Sequence, residues 1–327
     1  MESTRRFQSL VESKGLAMNQ AQFRKETSSS GEFRRQVSHF RNWVTADGSS
    51  PHPAEAGRYH LYVSSACPWA HRTIIARKLK KLESVIGITI VDPLRDENGW
   101  AFIGESDPIN GFRFLSEAYE VSDSNFDGRV TVPVLWDMEL KVIVNNESQD
   151  ILRMLNSEFG AFSDNSTDLF PAPLREEIET LNARIYETVN NGVYRAGFAT
   201  SQEAYEAAVV PLFETLTWLD QRLSSQRYLL GDQHTETDWR LFTTLVRFDA
   251  VYHGHFKCNL RMLADFPNLW GYTRDLYQVP GVAETVNFDH IKRHYYITHR
   301  AINPTGVVPL GPELDFAASH DRAGILK

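Results

Sequence analysis

One cysteine at the junction of a strand and a helix constrains this chain more than any other feature. The apolar run Tyr59–Val63 predicts a strand, and residues 64–72 (SSACPWAHR) place Cys67 directly before a proline that suits the first position of a helix. Cys67 therefore lies at the positive end of a helix, where a thiol tends to ionise to the nucleophilic thiolate. A buried structural cysteine is the commoner alternative, but this context favours catalysis. The segment lacks a second cysteine, so we expect a small-molecule thiol to resolve any disulfide.

The first half of the chain alternates between strand and helix patterns. After the first strand, we predict a helix at 68–82, strands at 85–91, 131–136 and 142–144, and a helix from 146 through 155. This order, β-α-β followed by β-β-α, is typical of a thioredoxin-like α/β domain. Between the second and third strands, residues 93–127 predict a long insert, and loops of that length are usually functional.

Helical periodicity dominates the second half of the chain. The clearest helical segments are 174–193, 202–223, 238–251 and 269–276. We therefore predict an N-terminal extension at 1–40, a thioredoxin-like domain at 41–160, a linker at 161–173, an all-helical domain at 174–312 and a C-terminal tail at 313–327.

Composition limits the partners and the compartment. The formal net charge of −8 argues against a nucleic-acid surface, and no apolar stretch approaches the roughly 18 residues that span a membrane. Two cysteines do not make a disulfide framework, which favours a reducing compartment. Glu2, Glu12, Glu26 and Glu32 interrupt the acid-poor pattern of a transit peptide, so we expect a cytoplasmic protein.

Two further motifs could hold a peptide beside the cysteine. Pro133 stands within a strand pattern, where it cannot donate to the ladder; in thioredoxin-like folds the matching Val–Pro bond is cis and leaves the backbone of the preceding residue, here Val132, free to pair with a peptide. An ordinary trans edge proline is the alternative. Residues 146–148 (NES) open a predicted helix whose N–H groups favour a carboxylate, and Glu147 can accept an ammonium group. Plain N-capping is the alternative here, and both roles can hold at once.

Six segments together resemble the xi-class glutathione transferases, also known as glutathionyl-hydroquinone reductases. They are residues 65–72 (SACPWAHR), 128–137 (GRVTVPVLWD), 143–148 (IVNNES), 191–199 (NGVYRAGFA), 290–296 (HIKRHYY) and 302–306 (INPTG). The resemblance covers about residues 40–312. It implies a thioredoxin-like domain followed by an all-helical domain, glutathione as co-substrate and a homodimer.

The resemblance also assigns roles to individual residues. Cys67 would be the catalytic nucleophile, and Tyr194 and one of Tyr295 and Tyr296 would line the pocket for an aromatic substrate. The residues that would hold glutathione are Trp100, Arg129, Val132, Glu147 and Ser148. Because adjacent helical residues point about 100° apart, only one tyrosine of the pair should face the site, and we predict Tyr295. Packing in a helical core is the alternative role for these tyrosines.

The histidines suggest no metal centre. His290 and His294 have helical i, i+4 spacing, but no glutamate or cysteine set completes a site, so we predict that the protein binds no metal. We expect His71 to pack or hydrogen-bond locally rather than act as a base. Cys258 is interpreted as a packing residue.

The implied reaction follows from the residue types. Tautomerisation of a glutathionyl-hydroquinone to a keto form makes its ring carbon a better leaving group, and a tyrosine hydroxyl could support that form. The Cys67 thiolate then attacks the glutathionyl sulfur, and a second glutathione resolves the mixed disulfide. One alternative is an omega-like thioltransferase or dehydroascorbate reductase that uses the same exchange. Another is a non-catalytic binding module of the same fold, in which the cysteine is inert.

Overall fold

The first half of the chain forms a mixed five-stranded sheet in the computed structural model, which describes residues 26–163 and 166–325. The strands are β1 (Tyr59–Val63), β2 (Gly87–Asp96), β3 (Gly99–Phe102), β4 (Val134–Asp137) and β5 (Val142–Asn145). Their order is β3-β2-β1-β4-β5, with β1 parallel to β2 and all other neighbouring pairs antiparallel. Every residue of β1 is buried, as expected of a central strand that is covered on both faces.

Three helices complete this half of the molecule as described. They are α1 (Pro68–Leu79), α2 (Leu115–Ser122) and α3 (Ser148–Ser157). Helix α1 begins directly after Cys67, which has an extended backbone, and α1 packs against α3. Glu147 caps α3 by accepting a hydrogen bond from the Gln149 backbone. Helices α1 and α3 therefore begin at or directly beside the residues that the sequence analysis singled out.

The segment 93–127 differs from the long loop that we expected. Strand β2 continues to Asp96 and turns at Gly99, whose positive φ of 88° suits glycine, into the short strand β3. Trp100 and Phe102 on β3 are buried, and α2 follows later in the same segment. The prediction of an insert without regular structure was therefore wrong, because these aromatic side chains bury enough surface to order it.

The second half of the described chain is helical. Its helices are α4 (Arg175–Ile185), α5 (Gly192–Gly197), α6 (Gln202–Arg222), α7 (Glu236–Arg247), α8 (Pro267–Tyr277) and α9 (Phe288–Arg293). The continuous helices predicted at 174–193 and 238–251 are instead interrupted by π-helical turns at Tyr186–Asn190 and Phe248–Tyr252. A further π-helical turn, His294–Thr298, follows α9. Simple 3.6-residue periodicity does not register such wide turns.

The two halves share an interface at which α1 packs against α7. Residues 26–40, which we assigned to an N-terminal extension, lie against both halves: Arg35 bonds to Asn191, and the Phe40 backbone bonds to Asn146. Residues 1–25 of that predicted extension lie outside the described residues. Cys258 is completely buried. No helix in the described ranges is long and apolar enough to cross a membrane.

We expect the free energy of unfolding to fall as the pH drops from about 6.5 towards 4. Burial lowers the pKa of His255 to about 4 and that of His294 to about 3. An unfolded histidine has a pKa of about 6.5, so the unfolded chain binds more protons in this interval, and each histidine removes about 2 kcal/mol of stability at pH 5.

Urea unfolding at pH 7 and pH 5 measures this difference. The variant His255→Asn should reduce the pH dependence, because the asparagine side chain does not titrate. An identical pH dependence in His255→Asn and the parent chain would show that the buried histidine is not responsible.

Candidate active site

A cavity of about 340 Å³ opens beside Cys67. The glutathione-binding residues that we predicted all line it, namely Trp100, Arg129, Val132, Glu147 and Ser148. They come from β3, from the loop before β4 and from the start of α3, so the sheet topology brings distant parts of the chain to one place. The cavity can accommodate a peptide-sized ligand next to the thiol.

Cys67 is half-buried on the cavity wall. Its Sγ lies 3.6 Å from the carbonyl oxygen of Val132, and Pro68 occupies the first turn of α1. The Val132–Pro133 peptide bond is cis, as expected from the matching bond of thioredoxin-like folds, and the alternative of a trans edge proline was wrong. Val132 also precedes β4, so it lies outside the paired part of that strand. Its backbone is thus placed next to the thiol, where a bound peptide could pair with it.

The loop before Cys67 is held by a completely buried arginine from the other half of the molecule. Arg247 donates from Nε to the Ala66 carbonyl at 2.9 Å and from Nη2 to the Ser65 carbonyl at 3.0 Å. Its Nη1 lies 3.0 Å from Nδ1 of His71. Burial, with a smaller contribution from Arg247, holds the pKa of His71 well below its usual value, so the neutral ring accepts this bond. His71, in the first turn of α1, therefore has a structural role, because it links the start of this helix to Arg247.

The two charged residues predicted for glutathione are contacted by the N-terminal segment. Arg129 forms an ion pair of 2.6 Å with Glu26, which is only 3% exposed. The Ser38 hydroxyl donates to Oε2 of Glu147 at 2.9 Å. Sequence reasoning missed Glu26 and Ser38, because they lie before the part of the chain that carries the family resemblance. No local sequence pattern marks either residue as part of a binding site.

Several buried donors around the cavity have no hydrogen-bond partner within the described ranges. They are Nη2 of Arg35, Nε1 of Trp69 and Nε of Arg129. Buried donors normally find an acceptor, and an unmatched one costs about 1–3 kcal/mol. These three residues line the cavity, which is compatible with a ligand that carries acceptor oxygens.

A further cation, Arg95, lines the same cavity and was not predicted. In the part of the chain that the structure describes, its guanidinium makes no hydrogen bond or ion pair and lies 5.6 Å from the centre of the Trp100 ring. Burial, with a smaller contribution from Arg129, lowers the pKa of Arg95 to about 9. Arg95 therefore remains mainly charged at neutral pH and is available to an anion.

The tyrosines of the helical half form a hydrogen-bonded cluster rather than a cavity wall. The hydroxyls of Tyr194 and Tyr295 lie 2.5 Å apart, and Tyr252, which sequence reasoning missed, lies 3.0 Å from Tyr295. Tyr296 points elsewhere and donates to the Ala250 carbonyl at 3.4 Å. The cluster adjoins the cavity through Trp69, whose ring centre lies 6.3 Å from that of Tyr194.

Burial is the main cause that raises the pKa of each clustered tyrosine. For Tyr194 the Cys67 thiolate raises the pKa further, whereas Arg35 lowers it. For Tyr252 and Tyr295 the pKa lies well above the usual value. All three phenols are consequently protonated at neutral pH and can donate hydrogen bonds. Tyr252 and Tyr295 lie within π-helical turns, and Tyr194 lies four residues after the end of a third. Such turns are frequent at functional sites.

The comparison with known proteins agrees with this geometry. Residues 66–158 match the glutathione S-transferase N-terminal domain, and residues 202–275 match the corresponding C-terminal domain. The glutathionyl-hydroquinone reductase YqjG of Escherichia coli K12 is 53% identical over 307 residues, which cover 90% of this chain and 93% of the relative. Its glutathione-bound structure superposes with a TM-score of 0.84 over 87% of this chain and 96% of that one.

A fungal structure decides the class. The xi glutathione transferase of Phanerochaete chrysosporium is 48% identical, with a TM-score of 0.86, and the match covers 90% of this chain and 97% of that chain. The protein belongs to the xi class of glutathione transferases. In this xi-class transferase, the matched N-terminal domain carries Cys67 and the predicted glutathione-binding residues, and the helical half carries the tyrosine cluster. Among the residues described, no group of histidine, cysteine, aspartate and glutamate side chains could hold a metal ion.

We expect the substitution Arg247→Met to destabilise the transferase by about 3 kcal/mol, because it leaves the Ser65 and Ala66 carbonyls unpaired in a buried interface. Chemical denaturation monitored by circular dichroism measures the loss. Arg293→Met is the matched control, since Arg293 is 40% exposed and, within the described part of the chain, its ion pair is with Asp289 on its own helix. Equal losses in the two variants would contradict the role assigned to Arg247.

Proposed function

We propose that the enzyme reduces glutathionyl-hydroquinones to hydroquinones, with glutathione as co-substrate and a mixed disulfide on Cys67 as the intermediate. The observation that carries this proposal is the position of Cys67 on the wall of a charged cavity suited to glutathione, which a cluster of protonated tyrosines adjoins through Trp69. The cavity can hold the glutathionyl part of the substrate. The tyrosines provide donors for the oxygens of an aromatic ring.

The substrate would lie with its peptide part in the cavity. Glu147 can accept the ammonium of the γ-glutamyl group, and Ser148 at the start of α3 can bond its carboxylate. The backbone of Val132 can pair with the cysteinyl residue, which brings the glutathionyl sulfur towards Cys67. Trp100 and Arg129 line the remaining side, where the second carboxylate of glutathione would lie. This arrangement uses both charged ends of the tripeptide.

The reaction balances without a second protein cysteine. In the keto tautomer, the Cys67 thiolate attacks the glutathionyl sulfur, a new S–S bond forms and the carbon–sulfur bond breaks. The electron pair of that bond leaves with the ring as an enolate, which takes up a proton to become the hydroquinone. A second glutathione thiolate then attacks the mixed disulfide, releases oxidised glutathione and restores the Cys67 thiolate. The sulfurs of the two glutathione units lose the two electrons that the ring gains.

The tyrosine cluster would assist the step at the ring. Because the hydroxyls of Tyr194, Tyr295 and Tyr252 form a chain, a proton or hydrogen bond supplied to the ring at Tyr194 can be compensated within the cluster. Donation to the ring oxygen stabilises the enolate and thus makes the ring a better leaving group. Tyr194 and Tyr295 are therefore proposed as catalytic, and Tyr252 as the residue that positions them.

Three further properties are inferred for the whole molecule. The division into segments 1–40, 41–160, 161–173, 174–312 and 313–327 remains a proposal, supported by the matched family domains at 66–158 and 202–275. We also infer a homodimer of cytoplasmic location. The family resemblance supports the dimer, and the two free thiols of the chain are compatible with a reducing compartment.

We expect the enzyme to turn over glutathionyl-menadione efficiently and dehydroascorbate poorly, because only the quinone conjugate can use the tyrosine cluster. Steady-state rates with each substrate and glutathione test this, and Cys67→Ser serves as the negative control for both. Mass spectrometry after a single addition of glutathionyl-menadione should show one glutathionyl group on Cys67. Efficient turnover of dehydroascorbate without quinone reduction would instead establish the omega-like thioltransferase.

We expect Tyr295→Phe to lower kcat for glutathionyl-menadione by about 100-fold, since one donor to the developing oxyanion is then lost from the cluster. Tyr296→Phe is the matched control at the adjacent position. It should change kcat by less than about threefold, because the Tyr296 hydroxyl bonds to the Ala250 carbonyl and not to the tyrosines of the cluster as described. The reverse order of the two effects would show that Tyr296 faces the substrate.

A further inference from the structure

The N-terminal segment brings an arginine into the active site from outside both matched transferase domains. Arg35 lies on the wall of the Cys67 cavity, and its Nε donates to Oδ1 of Asn191 at 3.0 Å. Its guanidinium carbon lies 4.8 Å from the centre of the Trp69 ring and 4.7 Å from that of Tyr194. Arg35 thus lies between α1, which begins directly after Cys67, and α5, which carries Tyr194.

The contacts of Arg35 leave part of its donor capacity unused. A guanidinium has five N–H donors, and stacking on aromatic rings uses its face rather than its edge. Nη2 is buried and has no hydrogen-bond partner among residues 26–163 and 166–325. Of the other cavity arginines, Arg129 is paired with Glu26, whereas Arg95 lies beside Trp100. Arg35 is the one of these three that contacts the tyrosine cluster directly.

The chemistry of the missing acceptor follows from this position. The peptide part of the substrate is already provided for by Glu147, Ser148 and Arg129, while Arg35 packs on Tyr194. An oxygen bound at Arg35 would also lie near Tyr194, whose pKa is raised mainly by burial and is lowered, to a smaller extent, by the positive charge of Arg35. The negative charge that appears in the reaction is on the enolate oxygen of the departing ring, and a fixed cation with a free N–H suits such an oxygen.

We propose that Arg35 is a further catalytic residue, which binds the ring oxygen of the hydroquinone and stabilises the enolate as the carbon–sulfur bond breaks. This proposal rests on the proposed function. It assigns to the N-terminal segment a part of the reaction that the two matched domains do not supply. Arg35 serves only the first half of the cycle, because no ring is present when glutathione resolves the mixed disulfide.

Two substrates separate this role from glutathione binding. Glutathionyl-menadione carries the ring oxygen, whereas the mixed disulfide of glutathione and 2-mercaptoethanol reacts with the same thiol and contains no ring. For Arg35→Gln we expect kcat with glutathionyl-menadione to fall by about 100-fold. Turnover of the mixed disulfide should stay within about threefold of the parent enzyme, since that reaction develops no charge on an oxygen.

The neighbouring arginine is the matched control. Arg34 is 72% exposed, and among residues 26–163 and 166–325 its side chain pairs with Glu32 on the surface, so Arg34→Gln should leave both reactions unchanged. Arg35→Lys keeps the charge but loses the planar fork, and it should recover part of the quinone activity. This second variant also provides a reading if Arg35→Gln is poorly folded, which thermal denaturation would detect.

The outcomes are distinct. A parallel fall of both activities in Arg35→Gln and Arg35→Lys, with normal folding, would show that Arg35 acts on glutathione or on the fold, and would overturn the proposal alone. Unchanged quinone turnover in Arg35→Gln would overturn it as well. Failure of the parent enzyme to reduce glutathionyl-menadione, with the mixed disulfide still consumed, would overturn the proposed function itself.

Discussion

The buried guanidinium of Arg247 is the interaction on which the active site depends. A charged group that is completely buried is tolerated only when its donors are satisfied, and Arg247 satisfies them largely with backbone carbonyls on both sides of the interface. Thr243 lies on its own helix, whereas Ser65 and Ala66 lie in the loop before the nucleophile. The thiol is therefore fixed relative to the helical half of the molecule, and not only relative to the sheet to which it belongs. Since the tyrosines are on that helical half, Arg247 helps to fix the thiol relative to the tyrosine cluster that we propose binds the ring.

Around this joint, the site is assembled from three pieces of chain. The sheet half supplies the thiol and a cradle of polar groups, and the helical half supplies phenols whose burial keeps them protonated. The third piece is the N-terminal segment, which crosses the cavity and contributes Glu26, Arg35 and Ser38. Each of the three contacts a residue already assigned to glutathione or to the ring. The segment thus lies against the proposed site, although neither matched family domain includes it.

Local patterns were enough to predict part of this site. The position of Cys67 follows from a strand, a loop and a proline within a dozen residues, and Val132–Pro133 and the start of α3 are equally local. Arg247, Tyr252 and Arg35 could not be found in that way, because each acts through contacts with residues far away in the chain, such as the 181 positions between Ala66 and Arg247. The same limit applies to residues 93–127, where burial of aromatic side chains by the rest of the fold, rather than any turn signal, produces β3 and α2. Sequence thus predicted the place of Cys67 in the fold better than the contacts around it.

The π-helical turns have a consequence for how such enzymes can diverge. A wide turn accommodates about one more residue than an α-helical turn, and one residue corresponds to a rotation of about 100° for everything that follows. Within the described chain, Tyr252 and Tyr295 lie in two such turns, and Tyr194 lies four residues after the end of a third. The orientation of the phenols is therefore set by the length of the chain before them as much as by their identity. A one-residue deletion in one of these turns would rotate a phenol out of the cluster while every tyrosine remained in the sequence, so counting retained tyrosines does not establish retained chemistry.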